Sequence, residues 1–306
     1  MEHKPDKFET LSGCPVCSSP KLVPFKKSTF NIHRINQEQI KITDSEYGKT
    51  WDLSRCENCT HVFANPAPLP SFIQTLYSQV KDPLYEEEAR GRTKNFERIL
   101  HRLEKIHPEK GGFFDVGAAT GILINLANGR GWKAEGIESS SWAVRFAIEK
   151  YGLQILEGSF ETASLLPGHY TTVTMVDFIE HTVRPVDAVQ KAAKILKPGG
   201  TLCLVTPDIR SLTARIAGSK WWHFRPGHLG YFTAQSLDLL LSSAGLSVVK
   251  KRRYSWTFSA FYLISRNKKL HFLIKNPRWA LFWKKIPLKL ALFDSLEIYA
   301  RKEKQV

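Results

Sequence analysis

Two spacings of apolar residues alternate along most of this 306-residue chain. SFIQTLYSQV sets Phe72, Leu76 and Val80 four apart, and the stretch from Leu84 to Ile106 repeats the device with Phe96, Ile99, Leu100, Leu103 and Ile106. Both patterns predict helices with one apolar face. FFDVGAATG, from Phe113 to Gly121, predicts a short buried strand that runs into a turn of small residues and then a helix over ILINLANGRG. WKAEGIES, YTTVTMVDFIEH and TLCLVTPD predict three more strands. PVDAVQKAAKILKPGG predicts an amphipathic helix carrying Val186, Val189, Ala193 and Leu196, stopped by Pro198, Gly199 and Gly200. Repeated strand, helix, strand order implies an α/β fold whose mostly parallel sheet is covered on both faces, with ligands gathered over the strand C-termini. Beyond it, KKRRYSWTFSAFYLI reads as a strand, Lys268 to Leu292 as a basic, aromatic helical segment, and SLEIYARKE as a closing strand.

Ahead of the α/β pattern the chain is organised differently. HVFANPAPLP carries Pro66, Pro68 and Pro70, which interrupt any helix and mark a connector. Before it, CPVC and CENC pair Cys14 with Cys17 and Cys56 with Cys59, each pair able to turn two thiolates toward one ion from a tight knuckle. Four such ligands close a tetrahedral shell, so the leading expectation is a structural zinc with no open position for chemistry. A redox pair, disulfides or unrelated cysteines are the alternatives, and a cytoplasmic setting disfavours the disulfides. His61, two residues beyond Cys59, is then a surface residue or a support for the ligands, and Lys26, Lys27, Arg34 and Lys41 are ordinary surface content. Cys203, among β-branched neighbours, is expected to be a small core residue. The resulting division is 1–66 for the zinc-binding module, 67–108 for a helical connector and 109–306 for the catalytic domain, with a basic amphipathic insertion at about 268–292.

Composition narrows the setting. With 42% hydrophobic and 24% charged residues this is a folded globular chain. It has no run of eighteen apolar residues, and Met1–Asp6 have no apolar stretch behind them, so export is not expected and the cytoplasm is. The formal net charge is +15, and from Lys250 to Val306 fifteen Lys or Arg face three Asp or Glu, which puts +12 of it there. Such a tail suits nucleic acid, anionic lipid or a phosphorylated small molecule. Its cationic, aromatic segment either rests on an anionic membrane at the inner face, covers a lipid-linked acceptor, or packs on the core with its lysines in water.

Candidate chemistry concentrates at strand ends. Small residues at Gly117, Ala118, Ala119 and Gly121 let backbone approach a ligand closely, and the following helix start offers amides to a carboxylate or phosphate. Asp115 at the strand end suits the cationic part of a ligand. Glu138, seventeen residues after Gly121, is placed to accept both hydroxyls of a ribose, a device shared with dinucleotide enzymes. Asp177, Glu180 and His181 end a further strand, as site residues or as caps of the helix beyond.

DVGAATG resembles the first motif, DxGxGxG, of class I S-adenosylmethionine-dependent methyltransferases: Asp115, Gly117 and Gly121 match, and Ala119 stands where the central glycine is usual. MVDFIEH and ILKPGGTLCLVTP resemble the family's fourth strand, helix and fifth strand. CPVC, RCENCTHVFANPAP, this core and then WWHFRPGHLGYFTAQSLDLLLSSAGL together resemble a bacterial subgroup with an N-terminal zinc-binding part, found among sugar C-methyltransferases and enzymes of cell-surface polysaccharide or secondary metabolism. The resemblance spans about Cys14 to Val249. It implies a Rossmann-like, seven-stranded, mostly parallel sheet with S-adenosyl-L-methionine bound by Asp115, Gly117, Ala119, Gly121, Glu138, Ser159 and Asp177. Ser159 stands where the family often has an acid near the adenine.

Methyl transfer of this kind needs an aligned nucleophile and, for a hydroxyl or carbon acid, a base. His181 and His228 are the expected catalytic imidazoles, with Trp221, Trp222, His223, Phe224 and Tyr231 as a wall or lid over the acceptor. The implied acceptor is a small molecule: a sugar nucleotide, a glycan or a lipid-linked intermediate. Rival readings are a metal-assisted O-methyltransferase of a quinone or other lipid, using Asp177, Glu180 and His181; an RNA or protein methyltransferase; and a non-catalytic cofactor-binding module.

Overall fold

The computed structural model describes residues 7–43, 46–266 and 268–303. Residues 1–6, on which the export reading leaned, lie outside that range. In chain order the N-terminal part contains β1 (Phe8–Glu9), β2 (Leu22–Lys26), β3 (Leu53–Cys56), β4 (Val62–Ala64) and β5 (Ala67–Pro68), followed by α1 (Pro70–Ser78), α2 (Pro83–Glu87) and α3 (Ala89–Ile106). The central part runs β6 (Gly112–Val116), α4 (Ile122–Gly129), β7 (Lys133–Glu138), α5 (Ser141–Tyr151), β8 (Ile155–Glu157), β9 (Tyr170–Val176), α6 (Pro185–Ile195), β10 (Leu196–Pro207), α7 (Leu212–Ala217), β11 (Gly230–Tyr231), α8 (Ala234–Ser243) and β12 (Leu246–Arg253). Then come β13 (Trp256–Ser259), α9 (Ala260–Ser265), α10 (Pro277–Lys285), β14 (Pro287–Leu290) and β15 (Ser295–Lys302).

Seven strands form the main sheet in the order β12-β15-β10-β9-β6-β7-β8. Those from β10 to β8 are parallel, while β15 runs antiparallel between β10 and β12. Its central strands are apolar on both sides because both faces are covered, so alternate residues feed two cores. Phe114, Val173, Met175, Leu202 and Leu204 pack with α6 and α8. Phe113, Cys203, Val205 and Tyr299 pack with α3 and α4. Cys203 is fully buried in this second core, as its neighbours imply. Among the described residues no helix is long and apolar enough to cross a membrane.

A second, four-stranded sheet has the order β11-β4-β3-β2, so the N-terminal module takes its last strand from residues 230–231. Trp51, fully buried, donates its indole N–H to Pro226 O at 2.8 Å and shares a core with Trp221, Phe224 and Tyr231. The aromatic run of residues 221–231 is therefore the glue between module and main sheet, and not the lid expected over the acceptor. Burying side chains of this size contributes about 1.5–3 kcal/mol each. His61 is buried rather than at the surface: its Nδ1 meets Tyr231 O at 3.1 Å and its ring lies 4.4 Å from that of Phe232. Lys26, counted as surface content, has a buried ammonium 4.3 Å over the Phe224 ring.

Three sequence expectations change in detail. The helix expected from Leu84 to Ile106 breaks at Glu88, because the buried Glu88 carboxylate turns to accept from Ser259 N and, at 2.6 Å, Ser259 Oγ. The strand expected over KKRRYSWTFSAFYLI is interrupted and then ends at Ser259, whose hydroxyl caps α9 through Tyr262 N. The segment from Lys268 to Leu292 is helical only in part, since β14 folds back onto β13.

Candidate functional site

A cavity of about 390 Å³ opens over the C-terminal ends of β6, β7 and β9. One half of its wall is made by Gly117, Ile137, Glu138, Ser139, Ser159 and Phe160. The other comes from Pro70, Ile73, Gln74 and Tyr77 of α1, together with Ile42, Phe178, His181, Val183 and Arg184. The α1 residues are spaced i, i+3, i+4, i+7, one helical stripe. It is a different stripe from the Phe72, Leu76, Val80 row.

The turn after β6 is shaped by backbone conformation. Gly117, Ala119 and Gly121 have φ of 74°, 47° and 78°, all left-handed. A Cβ on Gly121 would also stand 2.5 Å from Leu153 Cδ1, so glycine is required there on two counts. Ala119 occupies a region that costs an L-residue about 1–2 kcal/mol. Replacing the usual glycine thus costs backbone strain as well as the methyl group's clearance. The turn is held by Gly117 N and Ala118 N donating to Ile137 O, and by Ala119 N donating to Glu138 Oε2 at 2.9 Å. Glu138 Oε1 accepts from Ser140 N at 2.8 Å, so each carboxylate oxygen is oriented by one amide and has a lone pair left for a ligand hydroxyl.

Of the expected cofactor residues, Gly117, Glu138, Ser159 and Asp177 line the cavity, whereas Asp115, Ala119 and Gly121 stand behind its wall. Asp115 is buried beneath the turn, accepts from Thr174 Oγ1 at 2.6 Å, and is pushed up to about 7 by burial. Ser159 Oγ is bound to the Glu161 carboxylate next to it. Asp177, at a φ of 51°, is pushed up to about 6 by burial, against the opposing pull of His223, Arg92 and Arg225. Burial makes both acids carry their charge reluctantly.

His181 is the imidazole in the wall. Its Nδ1 lies 2.8 Å from Gly227 O and 2.7 Å from Tyr77 Oη. A carbonyl only accepts, so the proton sits on Nδ1 and Nε2 keeps a bare lone pair. Burial holds His181 down to about 3, with Arg225 adding to the shift, so the ring is neutral at physiological pH. His228 does not line the cavity; it is buried with its ring 4.8 Å from that of His181, and its Nδ1 has no partner. Glu180 lies beside them, one carboxylate oxygen accepting from Thr206 Oγ1 at 2.9 Å and the other unpartnered. Ligand atoms of Glu180, His181 and His228 lie within 4.8 Å of one another. Asp177, the first acid of the sequence-spaced set, is not in this group. The sequence reading missed Tyr77; a tyrosine on the second stripe of α1 was its only signal.

The four N-terminal cysteines also converge, with Cys14 Sγ 3.5 Å from Cys59 Sγ and Cys17 Sγ 3.6 Å from Cys56 Sγ. Zinc–thiolate bonds of about 2.3 Å in a tetrahedron put sulfurs about 3.8 Å apart, so the cluster has the size the ion needs. The two knuckles match: Ser18 N donates to Cys14 O and Thr60 N to Cys56 O, with both Ser18 and Thr60 left-handed. Val16 N and Asn58 Nδ2 point at Cys14 and Cys17 sulfurs, at 3.4 and 3.5 Å, as donors that support thiolates.

A parallel sheet of this order, with a small-residue turn after its central strand and an acid at the end of the next, defines a Rossmann-like nucleoside-binding α/β protein. Residues 85–251, more than half of the chain, match the Methyltransferase domain family, and the chain belongs to that family. Ubiquinone biosynthesis O-methyltransferases are among the curated relatives. That of Albidiferax ferrireducens is 34% identical over 116 residues, 35% of this chain and 46% of the relative. That of Azoarcus sp. is 23% identical over 174 residues, 52% and 75% respectively. The chain spans about half the length of the first of these relatives. A SAM-dependent methyltransferase from Archaeoglobus fulgidus shares the fold, with a TM-score of 0.51 at 18% identity over 72% of this chain and 98% of that structure.

Proposed function

We propose that the protein transfers a methyl group from S-adenosylmethionine to a small-molecule acceptor, with a sugar nucleotide, glycan or lipid-linked intermediate as the acceptor class. The observation that carries this reading is the Glu138 carboxylate, held by two backbone amides with its free lone pairs at the cavity wall. Glu138 would take the ribose hydroxyls, Ser159 and Phe160 the base, and Gly117 with Asp177 the amino-acid end. S-adenosylmethionine, when bound, supplies an activated methyl group. The chain's own work is to align the acceptor against it, exclude water and hold a proton acceptor in place. His181 Nε2 is that acceptor, oriented through Gly227 and Tyr77. His228 acts behind it as a neutral neighbour. The Ile42, Ile73 and Val183 side of the cavity suits an acceptor with an apolar portion.

Zinc held by Cys14, Cys17, Cys56 and Cys59 would be structural, its shell complete with four thiolates. A second reading, metal-assisted O-methyl transfer to a quinone or other lipid, is favoured by one observation: the unpartnered oxygen of Glu180 beside His181 and His228. A divalent ion there would supply Lewis acidity at an acceptor oxygen.

Titration calorimetry tests the main reading. S-adenosylmethionine or its demethylated product should give saturable heat with one site per chain. Heat with a nicotinamide dinucleotide and none with either sulfur nucleoside would end it. Manganese titration followed by water-proton relaxation, on wild type and Glu180→Gln, separates the second reading from the first.

A further inference from the structure

Helix α10 is an amphipathic helix without a buried side chain. Trp279, Leu281 and Phe282 of this helix are 56%, 62% and 48% exposed, and the neighbouring stretch adds Phe272 at 64%. Arg278 and Lys285 flank these apolar residues, and Lys275 and Lys289 stand exposed on the adjoining segments. From Arg266 to Leu292 the chain has eight Lys or Arg and no Asp or Glu. Glu87 pairs with Lys284 of α10 at 3.0 Å; the charges of the segment itself are all cations, so its exposed aromatics match a surface that is apolar inside and anionic at its rim. Set against that one ion-paired acid, the exposed Lys275, Arg278, Lys285 and Lys289 leave the face net positive, which a bilayer of anionic lipid complements.

The face is also tied to the cavity. Arg266 donates to Thr43 O at 2.6 Å, and Arg225 to Lys41 O and Ile42 O at 2.7 and 2.8 Å, so the loop carrying the wall residue Ile42 is held on two sides. We propose that α10 and the adjoining residues 269–275 and 287–290 dock the protein on an anionic lipid bilayer, with the cavity rim beside the membrane surface. Docking stands independently of the chemistry at the cavity, but it places an acceptor with a lipid tail within reach.

The test is co-sedimentation of the full-length protein with vesicles of phosphatidylcholine alone and of phosphatidylcholine mixed with phosphatidylglycerol. Binding is expected only to the mixed vesicles and should weaken with salt. Neutralising Lys275, Arg278, Lys285 and Lys289 to Gln should lower partitioning by about five-fold per residue. Trp279→Ser with Leu281→Ser and Phe282→Ser should also release the protein. Both variants should keep wild-type thermal unfolding and product-nucleoside binding, since α10 contributes no buried residue. No binding to mixed vesicles, equal binding to both kinds, wild-type binding by both variants, or binding to an RNA of matched charge with none to vesicles would each overturn the proposal.

Discussion

The amide of Ala119 donates to Glu138 Oε2 at 2.9 Å while Ala119 itself is held at a φ of 47°. One residue of the turn thus orients the carboxylate proposed to grip the ribose, and does so from a conformation an alanine resists. Ala119→Gly should relieve that resistance. Allowing for glycine's greater freedom in the unfolded chain, the net gain is about 0.5–1 kcal/mol. Thermal unfolding should shift upward with cofactor affinity intact; a lower midpoint would mean that the Ala119 methyl group packs usefully.

Glu138→Ala would remove the two charge-assisted hydrogen bonds proposed to the ribose, each worth about 1.5–3 kcal/mol. Affinity for S-adenosylmethionine should fall roughly hundred-fold or more by calorimetry. Stability should drop as well, by about 1–3 kcal/mol, because the amides of Ala119 and Ser140 lose their acceptor. Unchanged affinity would remove the ribose assignment.

Burial pushes Asp177 up to about 6 and Asp115 up to about 7. Each is protonated below its pKa, so affinity for a cationic ligand should weaken as pH falls from 7.5 to 5.5, by up to about ten-fold per pH unit for each group involved. The contribution of these two acids to folding stability runs the other way. Between the ordinary carboxylate range and the raised values the native state holds protons that the unfolded chain has released, so their contribution falls as pH rises from about 4 to 7, while buried His181 and His61, held down to about 3, contribute in the opposite sense up to about 6.5. Asp177→Asn should flatten both dependences.

His181 is neutral down to about pH 3, so it should impose no loss of activity between pH 8 and 6. His181→Gln should lower kcat by about 10², the low end for a positioned base because the burial that keeps the ring neutral also weakens it as a proton acceptor, while leaving S-adenosylmethionine affinity within a few-fold. Tyr77→Phe, which removes a contact to Nδ1 and keeps the ring, should have a smaller effect of the same kind. Formation of the demethylated nucleoside is the readout, and equal losses in kcat and cofactor affinity would speak for a merely structural histidine.

Elemental analysis of protein purified under reducing conditions should find one zinc per chain, and Cys56→Ser should lose it. Because β11 pairs with β4, the damage should spread to residues 221–231, visible as lost hydrogen-exchange protection at Gly230 and Tyr231. Protection loss confined to residues 7–64 would show that the shared sheet is a weak joint.

The alternation of strand and helix was legible because each element buries a face whose period is local: β6, β7, β9 and α4 stand where the apolar spacing puts them, whereas α6 ends at Ile195 and β10 already begins at Leu196, which the helical spacing had claimed. Gly117, Gly121 and Glu138 were legible for a related reason, since a tight turn and a strand-end acid are properties of a few consecutive residues. The four cysteines announced themselves by spacing alone. Tyr77 did not, because two stripes of α1 are equally plausible faces until something packs against one.

By itself, then, the sequence determined what depends on neighbours along the chain: the elements, the turn, the two knuckles and the excess of positive charge near the C-terminus. Only the tertiary structure decided what depends on residues brought together from far apart. It put His61 in a core against Tyr231, turned the tryptophan-rich run inward to join two sheets, set Glu180 and His181 beside His228 instead of Asp177, and left the aromatic face of α10 in the open. A side chain's burial is settled by which surface arrives to cover it, and that surface comes from a part of the chain local periodicity does not see.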